Sequence, residues 1–156
     1  MTPSKTYKIP EIGIYIKEMI NLSERPILDN KNIVVNVMNK ITDFIQLIDY
    51  KEIFYILYLN RGLKLLSVYK MSEGSDIDTS VSPKQIIQGA ILQNATGIIL
   101  VHNHPSGIVK PSSEDIIITN MVKRCGKIFD IEIIDHIIIS RNDFFSFKSG
   151  NYKYES

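Results

Sequence analysis

The sequence predicts an α/β domain in which a mixed β-sheet is flanked by helices. Strand-length apolar runs such as "EIFYILYL" and "GIILV" interleave, along the middle of the chain, with stretches of 3.6-residue apolar period. The 156 residues are enough for one domain with a single core, and 44% apolar against 22% charged residues is a globular balance. No repeat, low-complexity segment or Pro/Gly/Ser-rich linker divides the chain. A single domain over 1–156 is therefore expected, with a core from about 30 to 148 and an N-terminal extended arm over 1–28.

The elements follow in order. In the arm, "YKIPEIGIYI" alternates at Ile12, Ile14 and Ile16, an extended pattern. "DNKNIVVNVMNKITDFIQLID" reads as one helix. Asp29 or Asn30 can cap it, and Val34, Val37, Met38, Ile41, Ile45 and Ile48 form its apolar stripe. "EIFYILYLNRGLKLLSVYKM" is a hairpin whose turn, "NRG", offers Gly62 for a positive φ. Ser82 and Pro83 supply the cap and first turn of a helix through "KQIIQGAILQN", and Gly97 leads into a buried strand. "SEDIIITNMVKRCG" reads as a helix closed by Gly126, and "FDIEIIDHIIIS", "RND" and "FFSFK" as a closing strand pair.

Composition excludes several function classes. The net charge of +1 gives no electrostatic footprint for nucleic acid, although a local basic patch would not show in that sum. One cysteine rules out an internal disulfide and Cys-rich zinc schemes. The longest apolar runs fall far short of the roughly 20 residues that cross a bilayer. "MTPSKTYKIP" has no apolar signal segment, so a soluble cytoplasmic protein is expected. Nothing in the sequence sets an oligomeric state.

Chemistry concentrates in "HNHPSG". Residues two apart on a strand share a face, so His102 and His104 can offer two nitrogens to one ion at the strand's C-terminal end. A catalytic zinc site commonly uses three protein ligands. Asp115 is the natural third, because the ten residues after His104 can fold back and a helix N-terminus favours its charge. Plainer readings stand beside this one. A His-x-His pair can be structural, and Ser112 with Asp115 matches a capping box that needs no catalysis.

The string His102-x-His104, seven residues, Ser112, two residues, Asp115 resembles the JAMM motif of JAB/MPN metallohydrolases. "NATGIILVHNHPSGIVKPSSEDIIIT" and "DIEIIDHIII" narrow the likeness to the RadC family, once labelled DNA repair proteins. The resemblance runs from about Ile9 to Phe147 and lacks the helix-hairpin-helix region of longer RadC proteins, as a short stand-alone form would. It implies a JAB/MPN, cytidine deaminase-like architecture. It also implies Zn²⁺ on His102, His104 and Asp115, with a water as fourth ligand that Ser112 would contact. Asn103, on the opposite strand face, would hold the loop. His136 would act near the metal or be a satisfied core histidine. Cys125 reads as packing.

Hydrolysis also needs a general base, which JAMM enzymes take from an upstream glutamate. The strand read as its counterpart, "LKLLSVYKM", has no acid, and Tyr69 and Lys70 stand where many RadC sequences carry one. Glu73, ahead of Asp76 and Asp78, is the nearest candidate. It shares strand parity with Tyr69 but lies about 13 Å further along. It serves only if the chain bends there, and is otherwise a solvated turn residue. Two functions follow: a zinc-dependent amide or isopeptide hydrolase acting on a protein or peptide, or a non-catalytic zinc-binding module tied to DNA repair or replication. A zinc deaminase lacks its H-x-E and P-C-x-x-C signature here.

Overall fold

A computed structural model describes residues 20–74 and 81–150. The predicted N-terminal strand, Asp76 and Asp78 lie outside those residues.

Asn30 caps α1 (Lys31–Met38) by accepting the Asn32 N–H at 2.8 Å. The single helix expected next is two, because α1 ends at Asn39 and α2 (Thr42–Leu47) begins afresh. Lys40 and Ile41 donate to carbonyls only three residues back, tightening the last turn, and Ile41 then opens to ψ 107°. The apolar stripe survives the break in altered form. Val34, Met38, Phe44 and Ile48 are buried, while Ile45 is only partly so.

β1 (Glu52–Leu59) and β2 (Leu65–Gly74) form the expected hairpin. Its left-handed residue is Leu63, at φ 58°, rather than Gly62. The Asn60 side chain imposes this by accepting from both Gly62 and Lys64, while the Asn60 carbonyl accepts from Leu63. α3 (Pro83–Leu92) starts on the predicted Ser82 cap, and β3 (Gly97–Asn103) is buried throughout. α4 (Ser113–Ile128) runs two residues beyond its predicted stop. Gly126 is needed there for closeness, since a Cβ would lie 2.4 Å from the Ile131 carbonyl oxygen. Asp130, at φ 54°, makes the turn into β4 (Glu132–Ile139), and β5 (Phe144–Ser146) closes the chain.

The sheet order is β2-β1-β3-β4-β5, with β3 and β4 parallel and the other neighbours antiparallel. The chain thus folds as a mixed five-stranded sheet with flanking helices. α1 and α2 pack with Tyr55, Leu57, Ile99 and Val101 on one face. α3 and α4 cover the other, against Phe54, Ile56, Tyr58, Ile98 and Leu100, and Cys125 packs into this second layer as expected. Among the described residues no helix is long and apolar enough to cross a membrane.

Candidate metal centre

His102 lies at the end of β3 and His104 just past it, with Asn103 between them on the other face. Asn103 is fully buried and holds a different loop from its own. Its amide nitrogen donates to the carbonyls of Ile48 and Lys51 at 2.7 Å each, and its oxygen accepts the Ile53 N–H at 2.8 Å.

Asp115 reaches the histidines through the start of α4. Ser112 is the N-cap: its hydroxyl oxygen accepts the Asp115 N–H, and its own N–H donates to Asp115 Oδ2 at 2.8 Å. The capping box and the third ligand position are therefore one arrangement. The cap uses an oxygen lone pair of Ser112, so its O–H remains able to donate.

The three side chains converge. His102 Nε2 lies 3.0 Å from His104 Nε2 and 3.0 Å from Asp115 Oδ1, and His104 Nε2 lies 3.4 Å from Asp115 Oδ2. One ligand atom from each residue can be chosen so that all three lie within 4.8 Å of one another, close enough to share one ion. Hydrogen bonding behind the rings gives the same answer. His104 Nδ1 faces the Ile108 carbonyl at 2.7 Å, which can only accept, so this nitrogen carries the proton and Nε2 of the neutral ring presents a lone pair. Together His102, His104 and Asp115 can hold a metal ion.

Burial works to raise the pKa of Asp115, but the bonds to His102 and His104 and the Ser112 N–H outweigh it, holding the carboxyl well below the usual range. The Asp115 carboxylate in turn raises the pKa of His104, against the effect of burial. His136 is fully buried, and desolvation pushes its pKa well down, so the ring stays neutral. Its Nε2 is 2.8 Å from His102 Nδ1, with Phe147 stacked on it at 4.8 Å and Phe54 stacked on His102 at 5.4 Å. Both readings of His136 describe its position: it is a buried histidine with both ring nitrogens partnered, and one of those partners is His102. Asp135 faces the other way, as expected, and accepts from Ser146 and Lys148.

Glu73 is not brought to this site. It pairs with Ile53, whose side chain lies in the α1–α2 layer, and Lys51 and Lys70 bind its carboxylate at 2.8 and 3.0 Å. The shared parity with Tyr69 fails because β2 carries an extra residue at Met71, where Phe54 pairs with Ser72 but Tyr55 pairs with Lys70. The lysines lower the pKa of Glu73, making it a poor proton acceptor.

Another carboxylate does lie on the metal face. Phe54 pairs with His102, so Glu52, two residues earlier on β1, shares that face and comes beside His104. Its charge contributes to the raised pKa of His104. Among the described residues no cation forms an ion pair with it. The signal available in the sequence was a glutamate opening an otherwise apolar strand, "EIFYILYL".

The sequence matches the RadC-like JAB domain over residues 28–152. The chain belongs to this family. A UPF0758 protein of Clostridioides difficile is 45% identical over 100 residues, covering 64% of this chain and 43% of the relative. One from Chlorobaculum parvum is 40% identical over 98 residues, covering 63% and 44%, and one from Thermotoga maritima is 37% identical over 98, also covering 63% and 44%. The match thus spans less than half the length of these curated relatives. The mixed sheet and flanking helices agree with a RadC-like JAB domain.

Proposed function

We propose that this RadC-like JAB domain is a zinc-dependent hydrolase that cleaves an amide or isopeptide bond in a protein or peptide. The observation that carries the reading is Glu52, an acid with no ion pair among the described residues, on the same face as three converging candidate ligands. A zinc ion at those ligands would polarise the attacked carbonyl and lower the pKa of a water from about 15.7 toward roughly 7. Glu52 takes the proton from the attacking water and returns it to the leaving nitrogen. Ser112 donates its remaining O–H to the oxygen that gains charge. His102 and His104 turn their Nε2 atoms to the ion, with Nδ1 of each facing a partner behind it, His136 Nε2 and the Ile108 carbonyl. The cytoplasm suits this reading, since a reducing compartment keeps the lone Cys125 thiol free.

The alternative, a non-catalytic zinc module acting on DNA repair or replication partners, rested on the want of an upstream acid. Glu52 removes that support.

The test combines metal analysis with a panel of peptide and isopeptide substrates. Wild-type protein prepared without chelator should carry close to one zinc per chain, and His104→Ala very little. Glu52→Gln should keep the metal and lose turnover by about 10²–10⁴-fold, whereas Glu73→Gln should retain both. Activity surviving Glu52→Gln, or wild-type protein without metal, would overturn the proposal. A gel shift that weakens steeply with salt would favour the alternative.

A further inference from the structure

We infer that Thr119 and His136 are positioning residues that fix the tautomer of His102 and so keep its Nε2 lone pair for the ion; the metal half of this inference rests on the function proposed above. The Thr119 hydroxyl donates to the Asp115 backbone carbonyl at 2.5 Å, one helical turn back on α4. A carbonyl oxygen only accepts, and a hydroxyl has one proton, so that proton is committed. Toward His136 Nδ1, 2.6 Å away, Thr119 Oγ1 can then only accept. Nδ1 of His136 therefore carries its ring's proton, and Nε2 is left with a lone pair. That lone pair meets His102 Nδ1 at 2.8 Å, so His102 Nδ1 must donate. The Nε2 of His102, which faces His104 and Asp115, is left unprotonated.

The opposite tautomer would set two acceptors against each other at the Thr119–His136 contact. Among the described residues, the rings of Phe54 and Phe147 also pack against His136, and neither offers it a hydrogen-bond partner. The sequence of bonds starts at the backbone of one ligand, Asp115, and ends on the ring of another, His102.

His136 reaches this position only because β4 carries an extra residue. Ile98 pairs with Ile133 but Ile99 pairs with Asp135, so Ile134 is bulged out and His136 lands on the metal face beside Leu100.

Two measurements test the inference. In metal-free wild-type protein with ¹⁵N-labelled histidine, long-range ¹H–¹⁵N NMR should show His102 and His136 protonated at Nδ1 and bare at Nε2. By chelator competition, Thr119→Val should weaken zinc binding about 10–100-fold, the usual effect of losing a group that orients a ligand. Thr119→Ser, which restores the hydroxyl, should recover most of that loss. A His102 proton on Nε2, or unchanged zinc affinity in folded Thr119→Val, overturns the inference. Expected tautomers in a wild-type chain that takes up no zinc would leave the tautomer relay standing and remove the metal reading instead. The NMR arm decides the relay even where the valine variant fails to fold.

Discussion

His102 and His104 share a motif, yet different surroundings hold them. His102 is fully buried with another histidine behind it, whereas the His104 side chain is 16% exposed and leans on a loop carbonyl. Both were legible from spacing alone, as was Asp115, because alternation on a strand and a turn back into a helix N-terminus are local rules. Glu52 was not. Its side of the sheet depends on the antiparallel register of β1 against β3, which joins residues about fifty positions apart, and the local pattern marks only an acid at the head of an apolar strand. Glu73 looked plausible for the converse reason: it is close in sequence to a strand end but bound by lysines on the wrong face. Its ion pairs are screened by solvent, so Glu73→Gln should leave the urea midpoint essentially unchanged.

At the level of elements, two bulges decide which side chains meet. The one at Met71 turns Glu73 away from the metal face, and the one at Ile134 turns His136 toward it. Neither carries a glycine or proline to announce itself, so strict two-residue alternation misassigned the first. Helices were read well where caps are explicit, at Asn30, Ser82 and Ser112. The failure at Gly126 has a clear cause. A glycine near a helix end resembles a stop signal, but here it lets α4 lie against the chain entering β4, where Gly126 O accepts the Ile131 N–H at 2.9 Å. Gly126→Ala places a methyl against backbone that cannot yield. It should destabilise by about 1–3 kcal/mol, measured as a lower urea midpoint at unchanged slope.

On the scale of the whole molecule, the candidate ligands come from the C-terminal end of β3, the residue just past it and α4, the sheet and one of its covering helices. An ion held by both crosslinks the two layers and stabilises the native state alone. Zinc at a hundred times its dissociation constant should add about 2.7 kcal/mol, seen in calorimetry as roughly 5–10 °C in Tm for a chain of this size. His104→Ala should abolish that increment. Asn103 has a consequence of a different kind. Its carboxamide grips Ile53, the residue next to Glu52, and grows from the strand position between the two histidines. Asn103→Ala strands a buried donor and two acceptors, and should cost about 2–3 kcal/mol and speed hydrogen exchange at the Ile53 amide. In the intact chain one amide group acts as a gauge block. It ties the strand position next to Glu52 to the one between the two histidines, so for the hydrolysis proposed above the span of a cleavable bond would be machined into the resting protein.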